Sequence, residues 1–148
     1  MSSLRVGFLI YTVLSSILIC VSSSSMSRKI INLQYRDYSL DVKEGKVVGW
    51  HIDYDTQDAN WDILHTFNSR ITIQNVASSE YLRVDGHEVV TGAAPFEWKQ
   101  YPIARGAYQI QTIDRSGVLQ LTGGFDGSPV VLDNFTYRGE DAQWYYDI

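Results

Sequence analysis

Side chains with the chemistry of a sugar-binding site are grouped between residues 41 and 60. They are Asp41, Trp50, His51, Asp58 and Asn60. A carboxylate or amide oxygen accepts hydrogen bonds from vicinal hydroxyl groups, and bonds to a charged acceptor are short and strong. An indole or imidazole face packs against the apolar C–H side of a sugar ring at a small cost in conformational entropy. We therefore predict a carbohydrate site from this set.

The elements that must position these residues recur three times. Each unit opens with alternating apolar residues, continues with a strand-like triplet and a valine pair, and closes near a tryptophan. Period-two alternation and turns rich in Gly, Asp, Ser and Asn predict four β-strands per unit. The triplets are Leu40-Asp41-Val42, Leu82-Arg83-Val84 and Leu119-Gln120-Leu121, the valine pairs are Val47-Val48, Val89-Val90 and Val130-Val131, and the tryptophans are Trp61, Trp98 and Trp144.

A repeated four-strand unit predicts one architecture. A single unit cannot bury its apolar face, whereas three units around a pseudo-threefold axis can close a barrel. We predict an all-β fold, a single β-trefoil domain over residues 27–148, with repeats at about 30–66, 69–104 and 106–148. A sandwich or an ordinary barrel also has short strands, but not the same side chains in the same order three times. The recurring tryptophans are expected in the core.

These repeats resemble the ricin-B-type lectins, most closely their small fungal (mushroom) branch. The stretches that carry the resemblance are LDVKEGKVVGWH, DANW, ITIQNVASSEYLRVDG, APFEW, GSPVVLDNF and EDAQW, and it extends over residues 30–148. It implies a β-trefoil that binds a glycan, of galactose or N-acetylgalactosamine type. The chain departs from the family at the glutamine of the QxW motif, where Ala59, Phe96 and Ala142 stand instead. In the family that glutamine supports each repeat and often the sugar site.

The resemblance also implies roles for residues of the first repeat. Asp41 matches the family's sugar-binding aspartate, Gly49 its backbone contact, and Trp50 with His51 its stacking ring. Asp58 takes the place of the family's asparagine, with Asn60 nearby. We expect the principal site here, with the Asp41 carboxylate open toward the two rings.

The other two repeats are weaker candidates. Repeat two has Arg83 at the position of Asp41, and an arginine cannot accept a hydrogen bond; its span from valine pair to tryptophan is also five residues shorter. Repeat three keeps a full-length loop and offers a second candidate carbohydrate site, formed by Gln120, Asp133 and Asp141. Asn134 begins an Asn-Phe-Thr glycosylation sequence, and a glycan there would obstruct that site.

Other classes of function have less support. The sequence contains no HExxH, G-x-S-x-G or glycine-rich phosphate motif, and its histidines lack ligand spacing, so we predict no enzyme, no cofactor and no metal. Asp41 and Asp58 could lie at a glycosidase distance, but a shallow solvated pocket should leave the pKa of neither acid raised. The alternative function is a defence-related protease inhibitor on the same scaffold, acting through a loop at 92–95 or 123–127.

Charge and the N-terminal segment set the expected partners and location. The formal net charge is -5 and the basic residues are scattered along the sequence, which disfavours nucleic acid and anionic membranes. Residues 1–25 have the layout of a signal peptide, which would remove Cys20 and give a secreted protein. One alternative to a signal peptide is a retained membrane anchor, although the apolar run is shorter than the ~20 residues that span a bilayer. The other is an intracellular form that starts at Met26. With one good site per chain, agglutination of glycoproteins would require a homodimer.

Overall fold

The computed structural model describes residues 26–147, which form twelve β-strands. Repeat one contains β1 (Lys29–Asn32), β2 (Tyr38–Lys43), β3 (Lys46–His51) and β4 (Trp61–His65). Repeat two contains β5 (Arg70–Asn75), β6 (Tyr81–Asp85), β7 (Glu88–Gly92) and β8 (Trp98–Pro102). Repeat three contains β9 (Tyr108–Thr112), β10 (Val118–Leu121), β11 (Ser128–Asp133) and β12 (Trp144–Asp147). The predicted signal peptide and Cys20 lie outside the described residues.

The strands follow the predicted pattern. The three triplets lie in β2, β6 and β10, and the three valine pairs lie in β3, β7 and β11. Besides strands, the described part has two single-turn 3-10 segments, Ala104–Gly106 and Glu140–Ala142. None of its helical segments is long and apolar enough to cross a membrane.

The first and last strands of the repeats form a closed barrel. Antiparallel pairs join β1 to β12, β12 to β9, β9 to β8, β8 to β5 and β5 to β4. The last seam is closed by backbone hydrogen bonds of 2.9 and 2.8 Å between Arg28 and Trp61. The hairpins β2–β3, β6–β7 and β10–β11 meet through their second strands. This arrangement is a β-trefoil, so the predicted fold class is confirmed.

The recurring tryptophans are fully buried, as predicted, and make the same contact in every repeat. Their indole N–H groups each donate a 2.9 Å hydrogen bond to a buried leucine carbonyl of the second strand. The pairs are Trp61 with Leu40, Trp98 with Leu82 and Trp144 with Leu119. A buried indole contributes a large apolar area, and its N–H needs a partner. Each tryptophan therefore fixes the last strand of its repeat to the second.

Asparagines support two of the loops that lack the QxW glutamine. The side-chain amide of Asn32 donates to the carbonyl of Asp141 at 2.8 Å, and that of Asn75 donates to the carbonyl of Asp58 at 2.7 Å. Both asparagines are buried, so these bonds are shielded from water. The loops before the first and third tryptophans are thus fixed from a neighbouring strand.

Candidate functional site

The register of the β2–β3 hairpin decides which predicted residues share a face. In an antiparallel pair, opposite residues and those two apart on one strand lie on the same side. Asp41 is opposite Val48, and Trp50 lies two residues beyond Val48. Asp41 and Trp50 therefore face the same side. Gly49 belongs to the other face, and His51, the last residue of β3, has its ring centroid 6.1 Å from that of Trp50.

Asp41 is covered by Lys43 and is not open to solvent. Its side chain is 3% exposed; Oδ1 accepts the backbone N–H of Val42 at 2.7 Å, and Oδ2 lies 3.3 Å from Lys43 Nζ. Burial raises the pKa of Asp41, and the Val42 hydrogen bond and the Lys43 charge offset this only in part. Two expectations are therefore wrong. The carboxylate is capped, and its pKa is raised, because the group is enclosed by protein.

Lys43 joins the acidic and aromatic groups of this face. Its Nζ lies 3.3 Å from Asp41, 3.7 Å from Asp58 and 5.1 Å from the ring centroid of Trp50. The Asp58 side chain is 53% exposed, so it is the accessible acid of the pair. Sequence reasoning missed Lys43, although its place two residues after Asp41 in a strand puts both on one face.

Trp50 provides an accessible ring beside this cluster. The residue is half-buried and lines a shallow cavity of about 420 Å³ with Lys43, Val48 and Gly127 among its neighbours. An indole that borders an open cavity can pack against the apolar side of a ligand. Trp50 therefore has an accessible ring, and its stacking on a sugar stays a prediction.

His51 and Gly49 are engaged with the third repeat. The imidazole Nδ1 lies 2.8 Å from Oδ2 of Asp126, whose pKa is lowered chiefly by a hydrogen bond from the backbone N–H of His51. Gly49 is buried; a Cβ there would clash with Leu121, and its carbonyl accepts the N–H of Gly127 at 2.9 Å. The His51 ring nevertheless stays beside Trp50, with the two ring centroids 6.1 Å apart, so this pair is kept, whereas the buried Gly49 is not open to a ligand.

Asn60 lies next to the cluster but already has a partner. Its Oδ1 accepts a hydrogen bond from Lys29 Nζ at 3.1 Å. Burial lowers the pKa of Lys29, while the negative charges of Asp41, Asp53 and Asp147 act in the opposite direction. A second ammonium group thus interacts with Asp41, and the sequence offered no signal for it because β1 and β2 meet only in the fold.

Repeat two lacks the ring and the acid. Its Arg83 donates to the carbonyl of Ala94 at 2.7 Å and lies 5.9 Å from the ring centroid of Phe96. The β6–β7 register puts Gly92 at the position that Trp50 has in repeat one. Arg83 therefore fastens the 92–95 loop to its own hairpin.

Repeat three has polar groups and no ring at the position of Trp50, although the Tyr137 hydroxyl donates to Asp141. Gln120 donates to Asp141 Oδ2 at 2.8 Å, and Asp133 lies on the face of Gln120, at the position that the indole has in repeat one. Asp133 Oδ1 accepts the backbone N–H of Asn134 at 2.6 Å. Asn134 is exposed, and its Oδ1 accepts the hydroxyl of Thr136 at 2.9 Å. Glycosylation of Asn134 stays a prediction.

The fold and this surface define a β-trefoil protein with an acidic, aromatic cluster on one repeat. No protein-family model and no curated protein sequence matches the chain significantly. The designed threefold-symmetric protein ThreeFoil has a TM-score of 0.75 and 15% identity, over 82% of this chain and 99% of that one. The ricin B-like lectin of Macrolepiota procera, solved with lactose, has a TM-score of 0.73 and 24% identity, over 84% and 96%.

Part of an enzyme has the same fold as this chain. The exo-beta-1,3-galactanase 1,3Gal43A of Clostridium thermocellum has a TM-score of 0.72 and 19% identity, over 84% of this chain but only 30% of that one. At these identities the likeness shows the fold alone. The resemblance to fungal ricin-B-like lectins is thus confirmed as a resemblance of structure.

Proposed function

We propose that the chain binds carbohydrate through the outer face of the β2–β3 hairpin. The observation that carries this proposal is the Lys43 ammonium, held between Asp41 and Asp58 over the Trp50 ring, at the edge of an open cavity. Sugar hydroxyls can donate to the exposed Asp58 carboxylate, and a sugar's C–H face packs on an indole. Acceptors and stacking surface therefore meet in one place.

Lys43 must share this surface with the ligand. Its side chain is 29% exposed, and its ammonium group is attached through a flexible four-carbon chain. The ammonium can therefore move away from Asp58 while it stays in contact with Asp41. Ligand hydroxyls then bind Asp58, and the sugar ring packs on Trp50. In this proposal Asp41 positions Lys43 and does not contact the ligand.

We propose a glycan of galactose or N-acetylgalactosamine type. This finer proposal is supported by the lactose in the Macrolepiota procera lectin and by the galactose-containing epitope bound to the Polyporus squamosus lectin, another structural match. Secretion is proposed from the leader-like residues 1–25. With one principal site per chain, agglutination would need a homodimer.

We propose binding without catalysis. Lys43 lies 3.3 and 3.7 Å from the two acids, so Asp41 and Asp58 oxygens are at most about 7 Å apart, a separation that glycosidases use. A catalytic acid must reach the glycosidic oxygen, however, and the Asp41 oxygens face Val42 and Lys43. Within residues 26–147 no cluster of His, Cys, Asp or Glu is suited to a metal ion.

The test is calorimetric titration with lactose and N-acetylgalactosamine. Trp50→Ala should weaken binding at least about tenfold, equivalent to about 1.4 kcal/mol, because the stacking surface is lost. Phe67→Ala is the matched control, since Phe67 is 79% exposed in a different loop. It should bind as the wild type does, and thermal unfolding followed by circular dichroism should be unchanged in both variants.

Three results would contradict the proposal. Undiminished lactose binding by Trp50→Ala would place the site elsewhere. Inhibition of papain with no signal on a glycan array would favour the inhibitor alternative. Galactoside hydrolysis that disappears in Asp41→Asn would establish an enzyme.

A further inference from the structure

A second surface gathers cationic side chains from repeats two and three. It is a groove of about 450 Å³, and its cationic lining residues are Arg70, Lys99, Arg115 and Arg138. They are four of the twelve basic residues in a chain of net charge -5. Although scattered along the sequence, these residues form one patch in the fold. We call this patch the cationic groove.

Most of this charge is not neutralised within the described residues. Arg70 forms an exposed 3.1 Å ion pair with Glu97. Arg138 donates through Nη1 to two backbone carbonyls of its own loop, at 2.8 and 2.9 Å, which orients the guanidinium without cancelling its charge. Lys99 and Arg115 have no carboxylate within ion-pair distance in residues 26–147. Guanidinium groups recognise sulfate and carboxylate groups through paired hydrogen bonds.

Aromatic rings border the same groove. Tyr101 is exposed and Phe135 is half-buried, and the Arg115 guanidinium lies 5.9 Å from the Phe135 ring centroid. The buried side chains of Gln111 and Thr112 add neutral polar groups. Cations for acidic groups and rings for C–H faces are thus combined, as a charged sugar requires.

We propose that the cationic groove binds a sulfated oligosaccharide, at a site separate from repeat one. Its volume of about 450 Å³ falls within the range of small-ligand pockets. A longer polyanion such as nucleic acid would extend past the four cations onto the rest of a chain whose net charge is -5, which repels it. A short acidic saccharide stays within the groove.

The test is titration of the unglycosylated protein with a heparin tetrasaccharide and with its desulfated form. Unglycosylated protein is used because Asn134 adjoins Phe135 at the groove. The sulfated form should bind at least about tenfold more tightly, and more weakly at higher salt. The double variant Lys99→Gln, Arg115→Gln should lose about tenfold in affinity and show a smaller salt dependence.

The matched control removes one lysine and one arginine elsewhere. Lys46→Gln, Arg36→Gln changes two exposed cations outside the groove and should bind the tetrasaccharide as the wild type does. Trp50→Ala should also bind it normally, which separates this proposal from the site in repeat one. Three results would overturn the proposal. They are equal affinity for both tetrasaccharides, a loss of affinity in the control variant as large as that in Lys99→Gln, Arg115→Gln, and tighter binding of single-stranded DNA of the same charge.

Discussion

Repeats one and two share an interior and differ on their outer faces. In both, the closing tryptophan donates the same 2.9 Å bond to a leucine carbonyl. On the outer face, Asp41 corresponds to Arg83, and Trp50 corresponds to Gly92. Arg83 then lies on Phe96, whereas the Trp50 ring borders a cavity. The interior pattern specifies the trefoil, and the outer hairpin positions can change without altering it.

The shared interior is tested by replacing each tryptophan in turn, with Trp61→Phe, Trp98→Phe and Trp144→Phe. Each change leaves a buried leucine carbonyl without its donor and removes core volume. We expect the free energy of unfolding to fall by about 2–4 kcal/mol in each case. Denaturant titration measures this loss, and three values within about 1 kcal/mol of one another are expected. One well-tolerated substitution would show that the repeats are not equivalent.

The difference between the outer faces is tested by Lys43→Ala. Removing the ammonium frees Asp58 to accept ligand hydroxyls, so the affinity for lactose should rise about three- to tenfold. Titration of Lys99→Ala, which removes an exposed lysine of repeat two, should show no change. Weaker lactose binding by Lys43→Ala would show instead that the ammonium itself contacts the sugar.

The smallest effect concerns the pH dependence of stability. The pKa of Asp41 is raised above its ordinary value of 3.8, so ionised Asp41 costs stability in the folded state. This cost is absent below pH 3.8 and appears as pH rises through the folded-state pKa. As the pH rises from acidic to neutral, the free energy of unfolding of Asp41→Asn should therefore increase relative to that of the wild type, by up to about 1 kcal/mol. Urea titrations of both proteins at acidic and at neutral pH measure this change, and a stability difference that does not vary with pH would contradict the prediction.

The sequence was sufficient to predict the fold but not the details of the site. Apolar alternation and three buried tryptophans depend on local pattern and repetition, which a sequence displays directly. The common face of Asp41 and Trp50 follows from strand periodicity and was predicted in part. The capping of Asp41 depends on how far the Lys43 side chain reaches, and His51 is held by Asp126, which is 75 residues away. Such contacts arise only when separate loops meet.

Gly49 makes the first repeat depend on the third. Because it has no Cβ, Leu121 packs directly against β3, and the Gly127 N–H bonds to the Gly49 carbonyl. Interiors pack too densely to absorb added volume without displacement. A bulkier residue at Gly49 or Leu121 would therefore displace β3, the strand that carries Trp50. The side chains of the proposed site would themselves be unchanged. Substitutions in the core of repeat three can thus change the proposed site in repeat one, and mutagenesis confined to the surface would overlook this effect.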